Sequence, residues 1–332
     1  MKTSNRLHSP AELMQSVMAF QKSKLILSAV ELDIFTQLYG KSLDSTTLSQ
    51  IINADAYALE RLLNALVPLG LLHKTDELFS NTSLSDTILA KQSEKYMLGL
   101  GHVLNMYENW NHLTQSVLTG KPKPCDEINN RGINWIEAFI ARMHERGIAK
   151  AVEYANIIKF SDNEKILDLG GGSGVFAMEF VRRTKGATAV VFDLPNVLPF
   201  TQKYIEKAGL SDRVTMISGD YLHDDFSGIY DTIFISAIIH INSFEQNSML
   251  IKKCIKHLNP DGGRIIIQDF VMNEDKTQPI EGTMFSLNML VGTAHGTTYS
   301  ADEIEEWLSA KRINEIQYID VEGGTQLIIV NY

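Results

Sequence analysis

Residues 168–174 read Asp-Leu-Gly-Gly-Gly-Ser-Gly, between the apolar run "KILDLG" and the helical stretch "VFAMEFVRR". A strand that gives way to a helix within so few residues needs a tight backbone turn, and glycine allows it because it has no Cβ. The first turn of the following helix leaves N–H groups unpaired, which favours an anionic group such as a ligand carboxylate. From Lys165 the rest of the chain fits this start: "KILDLG", "ATAVVFDL", "VTMISGD", "DTIFISAII" and "GRIIIQDFV" alternate with helical stretches. Continuous apolar runs bounded by turns are the mark of strands buried on both faces. Strand–helix alternation implies right-handed crossovers and a parallel sheet, hence a doubly wound α/β unit. The end differs, because "INEIQYIDVEGGTQLIIVNY" reads as two strands joined by Gly323-Gly324. That hairpin puts one antiparallel strand at or near a sheet edge.

The loop discriminates between ligands. A dinucleotide fingerprint, G-x-G-x-x-G, fails from Gly170 because Val175 occupies its third glycine position. Asp168, directly before the loop, would repel phosphates. It suits a ligand carrying an ammonium and a sulfonium, which favours S-adenosylmethionine (SAM) over a nicotinamide dinucleotide. Gly170, Gly172 and Gly174 are the turn positions that let the backbone approach it. Asp193 ends the second predicted strand, where a carboxylate can accept both ribose hydroxyls, and Leu194 follows it. Asp220 ends the third, placed to accept from an adenine amino group with Tyr221 or Leu222 against the ring. Ser236, near the end of the fourth, completes the set of expected cofactor contacts. Any one of these aspartates also serves as an ordinary helix cap. Three at successive strand ends beside a glycine loop point to a site.

Upstream, residues 8–100 read as short helices followed by a small β-ribbon, the order of a winged-helix unit. Leu13, Val17, Phe20, Leu25, Leu27 and Val30 recur at helical spacing, and "ELDIFTQL" continues the stripe. Asp44 and Asp55 each stand before a helical segment as caps. This is more apolar stripe than some ninety residues hide, so a symmetric partner is expected. Residues 101–160 are again helical, broken at "TGKPKPCDE", and residues 161–332 form the α/β unit. The two cysteines, Cys125 and Cys254, lack metal-ligand spacing and fit a reducing compartment. A formal net charge of −10 is a poor match for nucleic acid or anionic membrane. The polar start, Met1 to Pro10, lacks the apolar core of a signal peptide, and no run approaches the ~20 apolar residues that span a bilayer. A cytoplasmic protein is expected, without membrane or nucleic-acid partners.

These motifs, in this order, resemble the class I SAM-dependent methyltransferases. The likeness is closest to the small-molecule O-methyltransferases related to caffeic acid and hydroxyindole O-methyltransferases. That branch carries "DLGGGSG", then a "DLP" element matched by Asp193-Leu194-Pro195, then "GD" matched by Gly219-Asp220, then a His matched by His240. Its opening helix resembles "FQKSKLILSAVELDIFTQL", and its third winged-helix segment resembles "LERLLNALVPLGLL". The resemblance covers nearly the whole chain. It implies a Rossmann-like seven-stranded doubly wound sheet with the last strand antiparallel, and an N-terminal all-α winged-helix domain that makes a homodimer. It also implies SAM as cofactor, S-adenosylhomocysteine (SAH) as product, and a small-molecule methyl acceptor; the sequence shows no metal-ligand cluster, so a metal-independent enzyme is expected.

A hydroxyl is a weak nucleophile until its proton is removed, and a His near its ordinary pKa of ~6.5 suits that task. His240 follows "DTIFISAII" on the ligand side of the sheet and matches the family's general base; a hydrogen-bonded core His is the plainer reading. The family follows this His with Asp-Trp, where Ile241-Asn242 stand here. Thr298 stands where the family has a Glu that orients the base. Asp269, ending the fifth strand, is the replacement partner or else a turn cap. Trp135, Phe139 and Met143 fall at i, i+4, i+8 on one helix. The resemblance puts Phe139 and Met143 near the acceptor and the methyl group; spacing alone gives core packing. Met284, Phe285, Asn288 and Met289 form a similar apolar face, which either lines a pocket for a flat aromatic acceptor or packs in the core. His295 is either an acceptor contact or a surface loop His. Transfer to nitrogen or carbon stays open, given Thr298. A DNA-binding regulator is disfavoured, because the recognition segment Tyr57–Leu66 holds one basic residue, Arg61, beside Glu60.

Overall fold

The computed structural model describes residues 6–124, 131–309 and 313–332. Cys125 lies outside the described residues. The chain divides into two compact units, Met1–Leu104 and Asn105–Tyr332.

In the first unit, helix α1 (Pro10–Met18) starts where the Ser9 side chain accepts from the Glu12 N–H, with proline at the first helical position. Helix α2 spans Phe20–Glu31. The stripe does not run on through "ELDIFTQL": Asp33 adopts φ 59°, and Ile34–Gln37 makes a separate short turn. A left-handed residue breaks the i→i−4 ladder, which periodicity of apolar side chains does not reveal. Helices α3 (Ser45–Ile52) and α4 (Ala56–Leu66) begin as expected: Asp44 accepts from the Thr47 N–H at 2.7 Å and Asp55 from the Ala58 N–H at 2.8 Å. An antiparallel ribbon of Leu72–Thr75 and Leu78–Asn81 follows. Phe35, Leu38, Leu48, Leu63 and Phe79 close the core of this unit. Helix α1 buries none of its residues, and Leu13, Val17 and Phe20 are 49%, 55% and 52% exposed.

The second unit centres on a seven-stranded sheet. Its strands are β1 (Lys165–Leu169), β2 (Thr188–Asp193), β3 (Val214–Ser218), β4 (Thr232–Ser236), β5 (Arg264–Asp269), β6 (Glu315–Val321) and β7 (Thr325–Asn331). They lie in the order β6-β7-β5-β4-β1-β2-β3. Strands β1 to β5 pair in parallel, and β7 runs antiparallel to both β5 and β6. The expected hairpin is there, and the reversed last strand sits one place in from the edge.

The unbroken apolar runs have a simple cause. On one face Leu167, Leu169, Ile233, Ile235, Ile265 and Ile267 enter one core. Their neighbours Ile166, Phe234 and Ile266 enter a second core on the opposite face. Both side-chain sets are buried, so alternation disappears; each fully buried Leu or Ile contributes about 1.5–3 kcal/mol. Five helices carry the residues that matter below: α5 (Ile133–Ile157), α6 (Val175–Arg183), α7 (Leu198–Ala208), α8 (Phe244–Lys256) and α9 (Ile280–Gly292). Helix α10 (Ala301–Leu308) opens with a capping box of Ser300 and Glu303. Chain connections leave β1 toward β2 on one side while β4 lies on the other. Ligands bind beyond the carboxyl ends of strands at such a reversal.

Two strand ends differ from expectation. Strand β3 stops at Ser218, so Asp220 lies in the following turn rather than on the strand. Strand β4 stops at Ser236, because Ala237 adopts φ 57° and turns the chain before Ile238-Ile239-His240.

Candidate active site

The glycine loop is held by its neighbours on every side. Gly170 adopts φ 63°, and a Cβ there would stand 2.4 Å from Ile238 Cδ1. Gly172 adopts φ 56°, and its N–H donates to Asp193 Oδ2 at 2.7 Å, while the Thr201 hydroxyl donates to its carbonyl at 2.5 Å. Gly174, at φ 72°, stands before the first residue of α6. Only glycine meets these turns without strain.

Asp168 is buried. Its Oδ2 accepts from the Ala177 N–H at 3.2 Å, so it does cap α6. Its Oδ1 is buried without a hydrogen-bond partner among the described residues. Burial first, then the charge of Asp193, pushes its carboxyl up to about 7. A buried acceptor lacking a donor is what a cationic ligand would satisfy. Asp193 accepts from Gly172 and, through Oδ1, from the Leu194 N–H at 2.7 Å; burial pushes its carboxyl up to about 6. Leu194, Pro195, Asn196, Ser218, Gly219, Asp220 and Asp224 line an open cleft of about 370 Å³ beyond β2 and β3. Asp220 spends its oxygens locally, on the Leu222 N–H and His223 Nδ1, each at 2.9 Å. Tyr221 lies 3.9 Å from where a Gly170 Cβ would be, and burial pushes its phenol up. Ser236 donates to Gln268 Oε1 at 2.6 Å, across to the neighbouring strand.

Beyond β4 and β5, His240 meets Asp269. Both Asp269 oxygens lie 2.8 Å from His240 Nδ1, and both residues are buried. Asp269 Oδ1 also accepts from the Phe270 N–H at 2.8 Å, which fixes the carboxylate. Among the described residues His240 Nε2 has no hydrogen-bond partner. The Phe285 ring stands edge-on to the His240 ring at 4.6 Å, and Phe270 packs against Phe285 at 5.0 Å. One turn along α9, Asn288 Oδ1 accepts from Trp110 Nε1 at 3.1 Å. Thr298 is buried and makes no hydrogen bond to His240.

The other expected acceptor residues divide. Trp135 stacks on Phe139 at 5.4 Å, and both pack with Leu194, Val197 and Phe200, on the Asp193 side. Met143 is half-buried on the same helix; Met284 is 49% exposed. His295 is exposed.

Several residues that hold the site were not singled out from sequence. Asn242 Oδ1 accepts from the Tyr221 hydroxyl at 3.2 Å, and its carbonyl accepts from the Tyr299 hydroxyl at 2.6 Å. Asn242 Nδ2 donates to Asn247 Oδ1 at 3.0 Å, and Asn247 Nδ2 donates to the Ile239 carbonyl at 2.8 Å. This network fixes the turn that carries His240. The only sequence signal was the departure Ile241-Asn242 from the family's Asp-Trp. His144 and Thr201, which hold the glycine loop from α5 and α7, gave no signal at all.

A glycine loop with acidic residues at the neighbouring strand ends, and a His–carboxylate pair beyond β4 and β5, have the form of a class I methyltransferase site. Residues 110–312 match the O-methyltransferase domain family and residues 14–91 the O-methyltransferase dimerisation domain, so the chain belongs to the O-methyltransferase family. It is 27% identical to the 3-hydroxy-5-methyl-1-naphthoate 3-O-methyltransferase of Streptomyces sahachiroi, over 90% of this chain and 88% of the relative. It is 33% identical to the L-tyrosine C(3)-methyltransferase of Streptomyces lavendulae, over 57% of this chain and 52% of that one. Among solved structures, PigF with SAH superposes with a TM-score of 0.86 at 22% identity, covering 98% of this chain and 100% of PigF. The enzyme is a SAM-dependent O-methyltransferase. The residues fit the cofactor: an orphaned buried acceptor at Asp168 beside a glycine loop that tolerates no larger residue at Gly170. No helix of the described residues is long and apolar enough to cross a membrane.

Proposed function

We propose that this enzyme methylates a hydroxyl of a small aromatic metabolite, with His240 as general base and Asp269 as the group that orients it. The observation that carries this reading is the bidentate contact of Asp269 on His240 Nδ1 at 2.8 Å. A carboxylate there keeps the proton on Nδ1, so Nε2 is left as the basic nitrogen. Asp269 does for His240 what Thr298 has no charge to do. Phe270 and Phe285 give the base an aromatic wall that suits a flat acceptor and thins the water around it.

When bound, SAM supplies a methyl group on a sulfonium, open to in-line displacement. The chain's residues do the rest. The loop from Gly170 to Gly174 offers amides and the α6 N-terminus to the cofactor carboxylate. Asp168 offers its unpaired oxygen to a cationic group, Asp193 accepts from ribose hydroxyls, and the cleft at Asp220 and Leu194 takes the adenine. Asn288, turned by Trp110 so that its oxygen is occupied, presents amide protons. His240 Nε2 takes the acceptor's hydroxyl proton, and Asp269 stabilises the resulting imidazolium. The L-tyrosine C-methylating relative motivates a second reading, transfer to an activated ring carbon at the same site.

The exposed α1 stripe and the dimerisation domain favour a homodimer through the first unit. Cys254, free and buried, fits a cytoplasmic setting. The functional test is turnover of SAM with a panel of phenols and hydroxynaphthoates, with His240→Ala alongside. Loss of about 10²–10⁴ in kcat with SAH affinity retained is expected; full activity of the variant removes His240 as base.

A further inference from the structure

On α5, Ile140, His144 and Gly147 fall at i, i+4 and i+7, so they share one face. That face lies on the glycine loop. Ile140 Cδ1 is 3.7 Å from where a Gly172 Cβ would be, and a Cβ on Gly147 would stand 2.6 Å from Val175 Cγ1, at the start of α6. Between them, His144 Nδ1 is 2.9 Å from the hydroxyl of Ser173, which is buried. Ser173 sits between Gly172 and Gly174, both at positive φ. The His144 ring is itself clamped, stacked on Tyr204 of α7 at 4.0 Å and 26°.

We propose that His144 is a positioning residue for the cofactor: its ring latches Ser173 and holds the glycine loop in the conformation that receives the carboxylate end of SAM. This inference rests on the loop's role given under the proposed function. Asp193 and Thr201 grip the loop at Gly172, and neither reaches Ser173. The Gly174 N–H donates to the Gly171 carbonyl at 2.8 Å across Ser173, but the His144 ring is the only side chain that hydrogen-bonds the Ser173 hydroxyl among the described residues, and the two flanking left-handed glycines add little stiffness of their own. Burial, with Lys207 adding, pushes the imidazole down to about 4, so the ring is neutral at pH 7. A neutral ring hydrogen-bonds the Ser173 hydroxyl through Nδ1 in either tautomer and adds no charge beside the loop amides. It also keeps His144 out of proton transfer, which separates its role from that of His240.

Calorimetric titration with SAH tests the latch on the full-length enzyme, using His144→Ala, Ser173→Ala, the double variant and His144→Asn. The amide of asparagine reaches about the place of Nδ1. Each alanine variant is expected to bind SAH ~10-fold more weakly, the double variant no more weakly than either alone, and His144→Asn within ~3-fold of wild type. In turnover, KM for SAM rises while kcat and its pH profile stay with His240. Two results overturn the proposal: His144→Ala binding SAH as wild type does, or the two alanine effects multiplying in the double variant. Should His144→Ala not fold, Ser173→Ala, which removes one oxygen, decides by the same criterion. Failure of the wild type itself to bind SAH would instead defeat the functional reading.

Discussion

Replacing Gly170 by alanine tests the loop by adding one carbon. Two costs follow. At φ 63° an L-residue loses about 1–2 kcal/mol to its own carbonyl contact. The new methyl would also stand 2.4 Å from Ile238 Cδ1 and 3.2 Å from its Cγ1, and Ile238 is part of the sheet core. Forcing a methyl into such packing costs about 1–3 kcal/mol. The sum is about 2–5 kcal/mol, a large share of a typical stability of about 5–15 kcal/mol. Ile238→Val removes Cδ1 at its own cost of about 0.5–1.5 kcal/mol. The double variant then keeps the backbone strain and loses most of the overlap. Its destabilisation should fall about 1 kcal/mol or more short of the summed single effects. Urea unfolding followed by tryptophan fluorescence reads this cleanly, because Trp110, Trp135 and Trp307 all lie in Asn105–Tyr332. Gly170→Ala within about 0.5 kcal/mol of wild type, or strict additivity with Ile238→Val, would refute the reasoning.

Other expectations follow from the same geometry. Asp269→Asn keeps the shape beside His240 but lets an amide N–H face Nδ1, so kcat should drop at least ~100-fold with SAH affinity unchanged; steady-state kinetics and calorimetry check both. Burial pushes the Asp168 and Asp193 carboxyls up to about 7 and about 6. The unfolded carboxyls sit near 3.9, so the ligand-free fold binds extra protons in between, and its stability is lost as pH rises through that window. SAH needs the ionised forms, so the thermal shift it produces should be larger at pH 8 than at pH 5.5; equal shifts at both contradict the assignment. Val17→Glu with Phe20→Glu alters exposed positions and should convert dimer to monomer in sedimentation, with the thermal unfolding of the second unit little changed. A wild type already monomeric at micromolar concentration defeats the dimer.

The sheet was legible because burial on both faces writes itself into sequence as unbroken apolar runs, and because the glycine loop marks where β1 hands over to α6. Asp193 was legible for the same reason, as the polar residue that ends such a run. Asp269 could be named as a partner for His240, but the two-oxygen contact could not, since it joins the end of β5 to the turn after β4. Strand ends were less legible. "DTIFISAII" reads as one apolar run, yet the left-handed Ala237 ends it early, and a non-glycine residue gives no sign of that. The supporting polar groups were hidden most completely. Asn242, Asn247 and Tyr299 act through hydrogen bonds between segments as much as 57 positions apart, and no local spacing encodes those. His144 reads as one more polar residue on a long helix until Ser173 is folded against it.

The central claim is transfer of a methyl group from SAM to oxygen, and the product carries the answer. The enzyme is supplied with SAM labelled with ¹³C at the methyl group and with a hydroxyaromatic acceptor, and the product is examined by NMR. A labelled methoxy carbon, absent with His240→Ala, is the predicted result. Label on ring carbon or nitrogen, or a methoxy product formed equally well by the variant, would contradict the account.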